Sequence, residues 1–349
     1  MTPRKDNTRD ERGVAIMYVA MFLLSSIWLV SLAIDMGKLS VTKNELQRAA
    51  DAAALAGASA VDPITGNLMQ DSARVRAAYF SSKNTALQTT SEAVVIDPQA
   101  DIMFPNIHKI QVTVHRDDAS GNPMTTIFAR TLGIASLNLR AVATAEAIPA
   151  EPCQRNSPMA PAKVAGGYST SCDSIYTLKI GSGSGKNAVP GNFQLLDFGT
   201  GCNEGPCAGL SGIGPLTKCW IEEGFGCCIK IGDQFVDTEP GNKVGIVRTA
   251  MDDLWKADTD QKQGICYTAY KGNGKRVFTT PIVDVTNVNG KKNATIVGFA
   301  AFFIRNKPGG GGQGNIVTGQ FINYVVPGEV NGTPPPGPQL FTLRLVENE

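Results

Sequence analysis

RGVAIMYVAMFLLSSIWLVSLAIDMGKLSVTKNELQRAADAAALAGA, residues 12–58, decides how this chain is built. Its first part, Val14 to Ile34, runs for 21 residues without a formal charge. As a helix it extends about 31 Å at 1.5 Å per residue, close to the thickness of a bilayer's hydrocarbon core. A helix also satisfies its own backbone polar groups, which lipid cannot do. The hydroxyls of Ser25, Ser26 and Ser31 fit such a span by bonding back to the preceding turn, and Tyr18 and Trp28 suit its two interfaces. A cleaved signal has a shorter apolar core followed by a small-residue cleavage site. Here the longer run is followed by Asp35, Met36, Gly37 and Lys38. Gly13 precedes the apolar run as in a prepilin cleavage site, but the fifth residue after it is Tyr18 instead of glutamate. A retained anchor over 14–34 is therefore expected, after a tail of residues 1–13.

Residues 35–61 contain no proline and many alanines, so the same helix is predicted to continue outward. Leu39, Leu46, Ala53 and Ala60 recur every seven residues, with Thr42, Ala49 and Ala56 between them. That stripe of small side chains permits close approach, either to the protein's own exported domain or to a neighbouring helix in self-association. Asp62-Pro63 is expected to end the helix, because the residue before proline is pushed out of the α region.

The ordered set Arg12-Gly13, apolar span, Asp35-Met36-Gly37, Leu46-Gln47 and Ala49 through Ala58, with Asp51 inside the alanine run, resembles the N-terminal region of TadG-like proteins of Tad/Flp pilus assembly. The resemblance continues through residue 148. It implies a membrane-anchored structural or accessory subunit of a pilus assembly or secretion system. Its partners would be the lipid bilayer and other pilus-assembly or pilin-like subunits. Longer members carry a von Willebrand A domain with an Asp-x-Ser-x-Ser metal motif. The nearest approach here, Asp118-x-Ser120-x-Asn122, sits in a turn, so metal-dependent adhesion is not expected.

Within 35–148 a helix over 71–88 is expected to pack on a small sheet of residues 93–97, 107–116 and 137–148. IHKIQVTVHR (107–116) alternates apolar and polar positions, the period of a half-buried strand, and TTIFARTLGI (125–134) reads as a short helix. Residues 149–166, with four prolines, read as a linker. Beyond it, 167–349 reads as a mainly β domain with strands at 174–180, 193–198, 228–236, 276–286, 295–305, 315–326 and 340–346 and one helix at 244–258. The fold class is α+β: an anchor helix, a small exported domain, then a sandwich or barrel-like domain.

All eight cysteines, Cys153, Cys172, Cys202, Cys207, Cys219, Cys227, Cys228 and Cys266, lie within residues 151–349. An even number in an exported, glycine-rich domain argues for disulfides, and eight cysteines permit 105 pairings. The adjacent Cys227 and Cys228 should reach different partners, since a bond between neighbours strains the backbone. Zinc is the rival reading, but no second close pair accompanies Cys202 and Cys207. Arg4, Lys5, Arg9 and Arg12 precede the span against Lys38, Lys43 and Arg48 after it. With the cysteines, this places the N-terminus in the cytoplasm and the rest in the periplasm, anchored by a single pass in a bacterial inner membrane.

A formal net charge of +1 provides no footprint for nucleic acid. GSGSGK (181–186) misses both the first glycine and the magnesium-binding hydroxyl of a phosphate loop, and GGGGQG (309–314) reads as a flexible loop. His108 and His115, seven apart, should face opposite ways on a strand. Asp237, Glu239, Asp252 and Asp253 read as surface or capping carboxylates. No catalytic residue, cofactor or metal is expected. The alternative is an anchored envelope enzyme or ligand-binding protein using 231–245, where Asp233, Glu239 and Lys243 are the residues to test.

Overall fold

The computed structural model describes residues 10–84, 94, 96–153, 155–179, 195–199, 202, 204–235, 244–284, 293–307, 317–330 and 337–347. Helix α1, Asp10–Ala58, is one uninterrupted rod of 49 residues. From Val14 to Ile34 its large apolar side chains are exposed, Phe22 at 70% and Leu29 at 69%. The hydroxyls of Ser25 and Ser26 donate to the Phe22 carbonyl and Ser31 to that of Ile27, as expected of an apolar span. The helix stops three residues short of the expected Val61. Ala60 N–H donates to the Gly57 carbonyl, and Val61 bridges Leu68, so a backbone turn ends the rod before Asp62-Pro63 is reached.

The outer half of α1 and helix α2, Gln70–Ser82, cover one face of a sheet. Its strands are β1 (Ile102–Asn106), β2 (Lys109–Arg116), β5 (Leu139–Pro152), β13 (Leu340–Val346) and β11 (Tyr324–Val325), in that order, with β12 (Gly328–Val330) also on β5. The inward face of β5 is alanine at 141, 143, 145 and 147 and meets Ala49, Ala50, Ala53 and Ala54 of α1, all buried. Small side chains on both surfaces bring helix and sheet close, and Ile110, Val112 and Val114 of β2 fill the flank. At Gly57 a Cβ would stand 2.4 Å from Ile110 Cδ1 and 3.3 Å from the Ala73 carbonyl, so α1 needs glycine where α2 and β2 converge.

This sheet departs from the expected one at both edges. Residues 94, 96 and 97 form no strand; Val94 and Ile96 are buried in the core, and the edge position belongs to β1, turned back on β2 at Ile107-His108. The helix expected over 71–88 is seen to Ser82, and 85–88 lie outside the described residues. The expected linker begins as strand, because β5 continues to Pro152 and pairs there with Gly328. The C-terminal strand joins this sheet as well, Phe341 opposite Pro149 and Val346 opposite Thr144. Nothing local to 340–346 says which sheet it completes.

The second sheet is centred on β9 (Ala294–Ile304), with β8 (Val277–Asp284) along one edge. On the other edge lie β10 (Val317–Ile322), β7 (Gln234–Phe235) and, beyond β10, β6 (Tyr176–Lys179). GFAAFFI (298–304) is apolar on both faces because both are covered. Phe299, Ala301 and Phe303 face one cluster, and Ala300, Phe302 and Ile304 face the other, beneath Val247, Met251 and Leu254 of α4 (Val244–Ala257). The sheet is open and helix-covered instead of closed into a barrel, and the whole is α+β. Residues 195–198 make only an isolated bridge and 228–233 no strand, which trims two expected strands. A second helix, α3 (Ile213–Glu222), was not expected: glycines at 212 and 214 and Pro215 mask a short amphipathic turn that buries Leu216, Trp220 and Ile221.

Four disulfides bind this layer: Cys153–Cys228, Cys172–Cys266, Cys202–Cys227 and Cys207–Cys219. The adjacent cysteines reach different partners. Cys153 is the residue after β5 and Cys228 follows α3, so one bridge ties the first sheet's long strand to the second layer. Each bridge of this kind typically contributes about 2–4 kcal/mol by restricting the unfolded chain. Peptide mapping of the purified protein without reductant should recover these four linkages; a peptide linking Cys227 to Cys228 would contradict the fold around α3.

Candidate functional site

Asp35 is the first residue after the apolar span, and it is 6% exposed. Its Oδ1 accepts the Ile127 N–H at 2.9 Å, and its Oδ2 accepts those of Phe128 at 3.0 Å and Ala129 at 2.6 Å. These amides open the 3-10 turn Ala129–Leu132, so the carboxylate caps a helical N-terminus from 92 to 94 residues away in sequence. One turn further along α1, Lys38 Nζ donates to the Thr125 carbonyl at 2.7 Å. The clasped segment is a small hairpin, β3 (Met124–Thr125) paired with β4 (Ser136–Leu137), closed by Thr126 Oγ1 donating to the Ile134 carbonyl at 2.5 Å. Gly133, at φ 86°, lets the tip turn back where a side chain would be strained. A groove of about 250 Å³ separates the tip from α1, lined by Ile27, Trp28 and Leu32 on the helix and by Phe128, Thr131 and Leu132 opposite.

The small-residue stripe lies elsewhere on the rod. Leu46, Ala49, Ala53 and Ala60 are fully buried in the first sheet's core, whereas Leu39 and Ala56 are half-buried. Thr42, also buried, bonds back to the Lys38 carbonyl. The protein's own sheet occupies this stripe.

His115 ends the exposed face of β2 between two carboxylates. Its Nε2 lies 3.0 Å from Asp101 Oδ2 and its Nδ1 lies 2.9 Å from Asp117 Oδ2, with Ser120 Oγ 3.0 Å from the same Nδ1. Burial disfavours the imidazolium, but the Asp101 hydrogen bond and the charges of Asp101 and Asp117 outweigh it and raise the pKa above the ordinary histidine value. Hydrogen bonds from the Ser120 hydroxyl and amide, together with the imidazolium, hold the Asp117 carboxyl below its usual range. A serine, a histidine and two aspartates thus converge where the sequence suggested no such set. A carboxylate at each ring nitrogen favours the protonated imidazole, and a protonated ring does not act as a base. His108 stands apart in the β1–β2 turn, its ring 5.7 Å from that of Phe341.

The other candidates are absorbed by structure. Asp252 pairs with Lys307 at 3.4 Å and Asp253 with Lys218 at 3.0 Å. Asp233 Oδ2 accepts the Lys230 amide in a turn, while Asp237, Glu239 and Lys243 lie outside the described residues. So do the glycine segments 181–186 and 309–314. Cys153, Cys228 and Glu329 cluster within 4.8 Å, but both sulfurs are spent in a disulfide and offer no thiolate. A cleft of about 490 Å³ lies between the layers, lined by Arg76, Tyr267, Tyr270 and Tyr324. Burial pushes Tyr267 up to about 12, so its phenol is neutral there, and Arg76 is held at the rim by the Ser59 carbonyl and hydroxyl, both at 2.8 Å. Its residues come from distant stretches with no shared pattern, so no sequence signal pointed to it.

Two outcomes follow from these contacts. Asp35→Ala removes the acceptor of three amides, and hydrogen–deuterium exchange at 127–129 should accelerate by about tenfold or more while exchange in β2 and β5 stays unchanged. At His115 the raised pKa stabilises the fold fully below the unfolded value of about 6.5 and loses that contribution as pH rises through the folded value. The lowered Asp117 pKa acts above about 3.9 and is lost on acidification. Melting temperatures of wild type and His115→Gln should therefore differ most between about pH 4 and 6.5 and converge at higher pH; a difference that persists unchanged at alkaline pH would remove the ion cluster from the account.

No curated protein and no solved structure matches the chain. Residues 13–60 match the family described as putative Flp pilus-assembly TadE/G-like. The matched segment is the apolar span, the Asp35 exit and the alanine-rich half of α1, so the likeness to that family rests on residues 13–60.

Proposed function

We propose that this protein is a membrane-anchored structural or accessory subunit of a Tad/Flp pilus assembly or secretion system, with an exported body that binds partner proteins. The observation that carries the reading is the change of surroundings along α1. One rigid helix is apolar and exposed over 14–34, then buried in the protein's own core from Leu46 onward. Such a rod couples a bilayer to a folded body without a flexible joint. The TadE/G-like match over the same residues supports the pilus association. Four disulfides fit an oxidising compartment, and the basic residues before the span fit a cytoplasmic N-terminus, so the body is assigned to the periplasm. The partners are other pilus-assembly or pilin-like subunits.

Deleting residues 1–34 should move the body from the membrane to the soluble fraction with its four disulfides intact, and pilus assembly in the producing cell should be lost. A soluble, correctly bridged fragment that still supports assembly would refute the anchoring role.

A further inference from the structure

The tip of the hairpin, residues 127–134, carries Ile127, Phe128, Leu132 and Ile134 on its outside, exposed at 54%, 37%, 61% and 48%. The tip lies beside Ile27, Trp28 and Leu32 of α1. Resting on the reading of α1 as a membrane anchor, we propose that this tip is a second membrane contact, dipped into the outer leaflet of the bilayer that α1 crosses.

Length decides between the tip in lipid and the tip in water. Were the hydrocarbon to stop below Ile27, only Val14 to Ser26 would remain to cross it, about 20 Å of helix against the ~30 Å required. Lipid must therefore rise along α1 toward Ile34, past the residues the tip touches. Measured back from Asp35, Leu32 and Ile27 lie about 5 and 12 Å into the apolar layer. That matches the insertion depth of about 5–10 Å typical of interfacial segments.

Hydrogen bonding supports the same placement. Irregular backbone enters an apolar medium only where its polar groups are satisfied within the protein. In the tip, Asp35 takes the amides of 127, 128 and 129; those of 126, 131, 133 and 134 donate to carbonyls within the hairpin. Asp35 thereby supplies the acceptors that water would supply to an ordinary loop. Arg130 is exposed and is the single charged side chain between 119 and 139, long enough to reach lipid phosphates from a shallow position. The anchor would then hold at two points, fixing the tilt and rotation of the body above the membrane, which a lone helix does not.

The test uses the full-length protein in phosphatidylcholine–phosphatidylglycerol vesicles, with and without bromine on the acyl chains. The native protein reports the span through Trp28; Trp220 and Trp255, 2% and 5% exposed, form a constant background. A second protein, Trp28→Phe with Leu132→Trp, reports the tip, at a position that is 61% exposed. The expected result is co-flotation of both proteins with vesicles, with a loss of emission from the reporter at 132 comparable to that of Trp28 in brominated lipid, and protection of both from aqueous iodide. If Trp28 is quenched by bromine while the reporter at 132 is quenched only by iodide, the tip is in water and the inference falls, with the anchor intact. If the native protein neither floats nor shows bromine quenching, the anchor reading itself fails and takes the inference with it.

Discussion

A single rod carries two kinds of surface, and the rest of the architecture follows from that. Over its first half α1 presents apolar side chains all round, as a helix in lipid must. Over its second half one face is alanine and glycine, and the sheet lies directly against it. Asp35 marks the change of surface. Its carboxylate is at once the first charge after the apolar run and the clasp that draws a hairpin from more than 90 residues away onto the helix.

The body above the rod is held as one unit by contacts that cross the chain's order. β5 serves the first sheet along its length and ends next to Cys153, which is bridged to the second layer. Asn323, between β10 and β11, is where the chain passes from one sheet to the other. Its backbone amide donates to the Pro63 carbonyl at 2.8 Å, its Nδ2 to the Ile64 carbonyl at 3.1 Å, and its Oδ1 accepts the Gln339 amide at 2.8 Å. The turn that ends α1 is thereby fastened to both layers. A rod so embedded transmits its orientation to the whole body.

Elements whose partners are near in sequence, or whose pattern is strong, were legible beforehand. The continuous N-terminal helix, β2, β8, β9 and α4 all declare themselves through apolar period or run length. The shorter pieces did not. α3 hides behind glycine and proline at its start, and strand propensity at 195–198 is overridden by a loop course that gains its burial without a ladder. At the site, Asp35 was visible as a motif position, but nothing in the local chain names 127–129 as its partner. The convergence of His115 with Asp101, Asp117 and Ser120 was equally silent, because it needs β1 beside β2 and the turn after β2 folded back.

The sequence by itself determined that this protein has an apolar helix long enough to span a bilayer, a small-residue extension of that helix, and a cysteine-rich, strand-forming remainder. Those properties reside in composition and period along consecutive residues, so they survive without knowledge of the fold. Only the tertiary structure decided that the small-residue face is filled by the protein's own β5, that the last strand completes the first sheet, how the eight cysteines pair, and which loop meets Asp35. Each of these is a choice among distant segments of similar local preference. Such choices are settled by which arrangement buries the apolar surface and satisfies the backbone amides together.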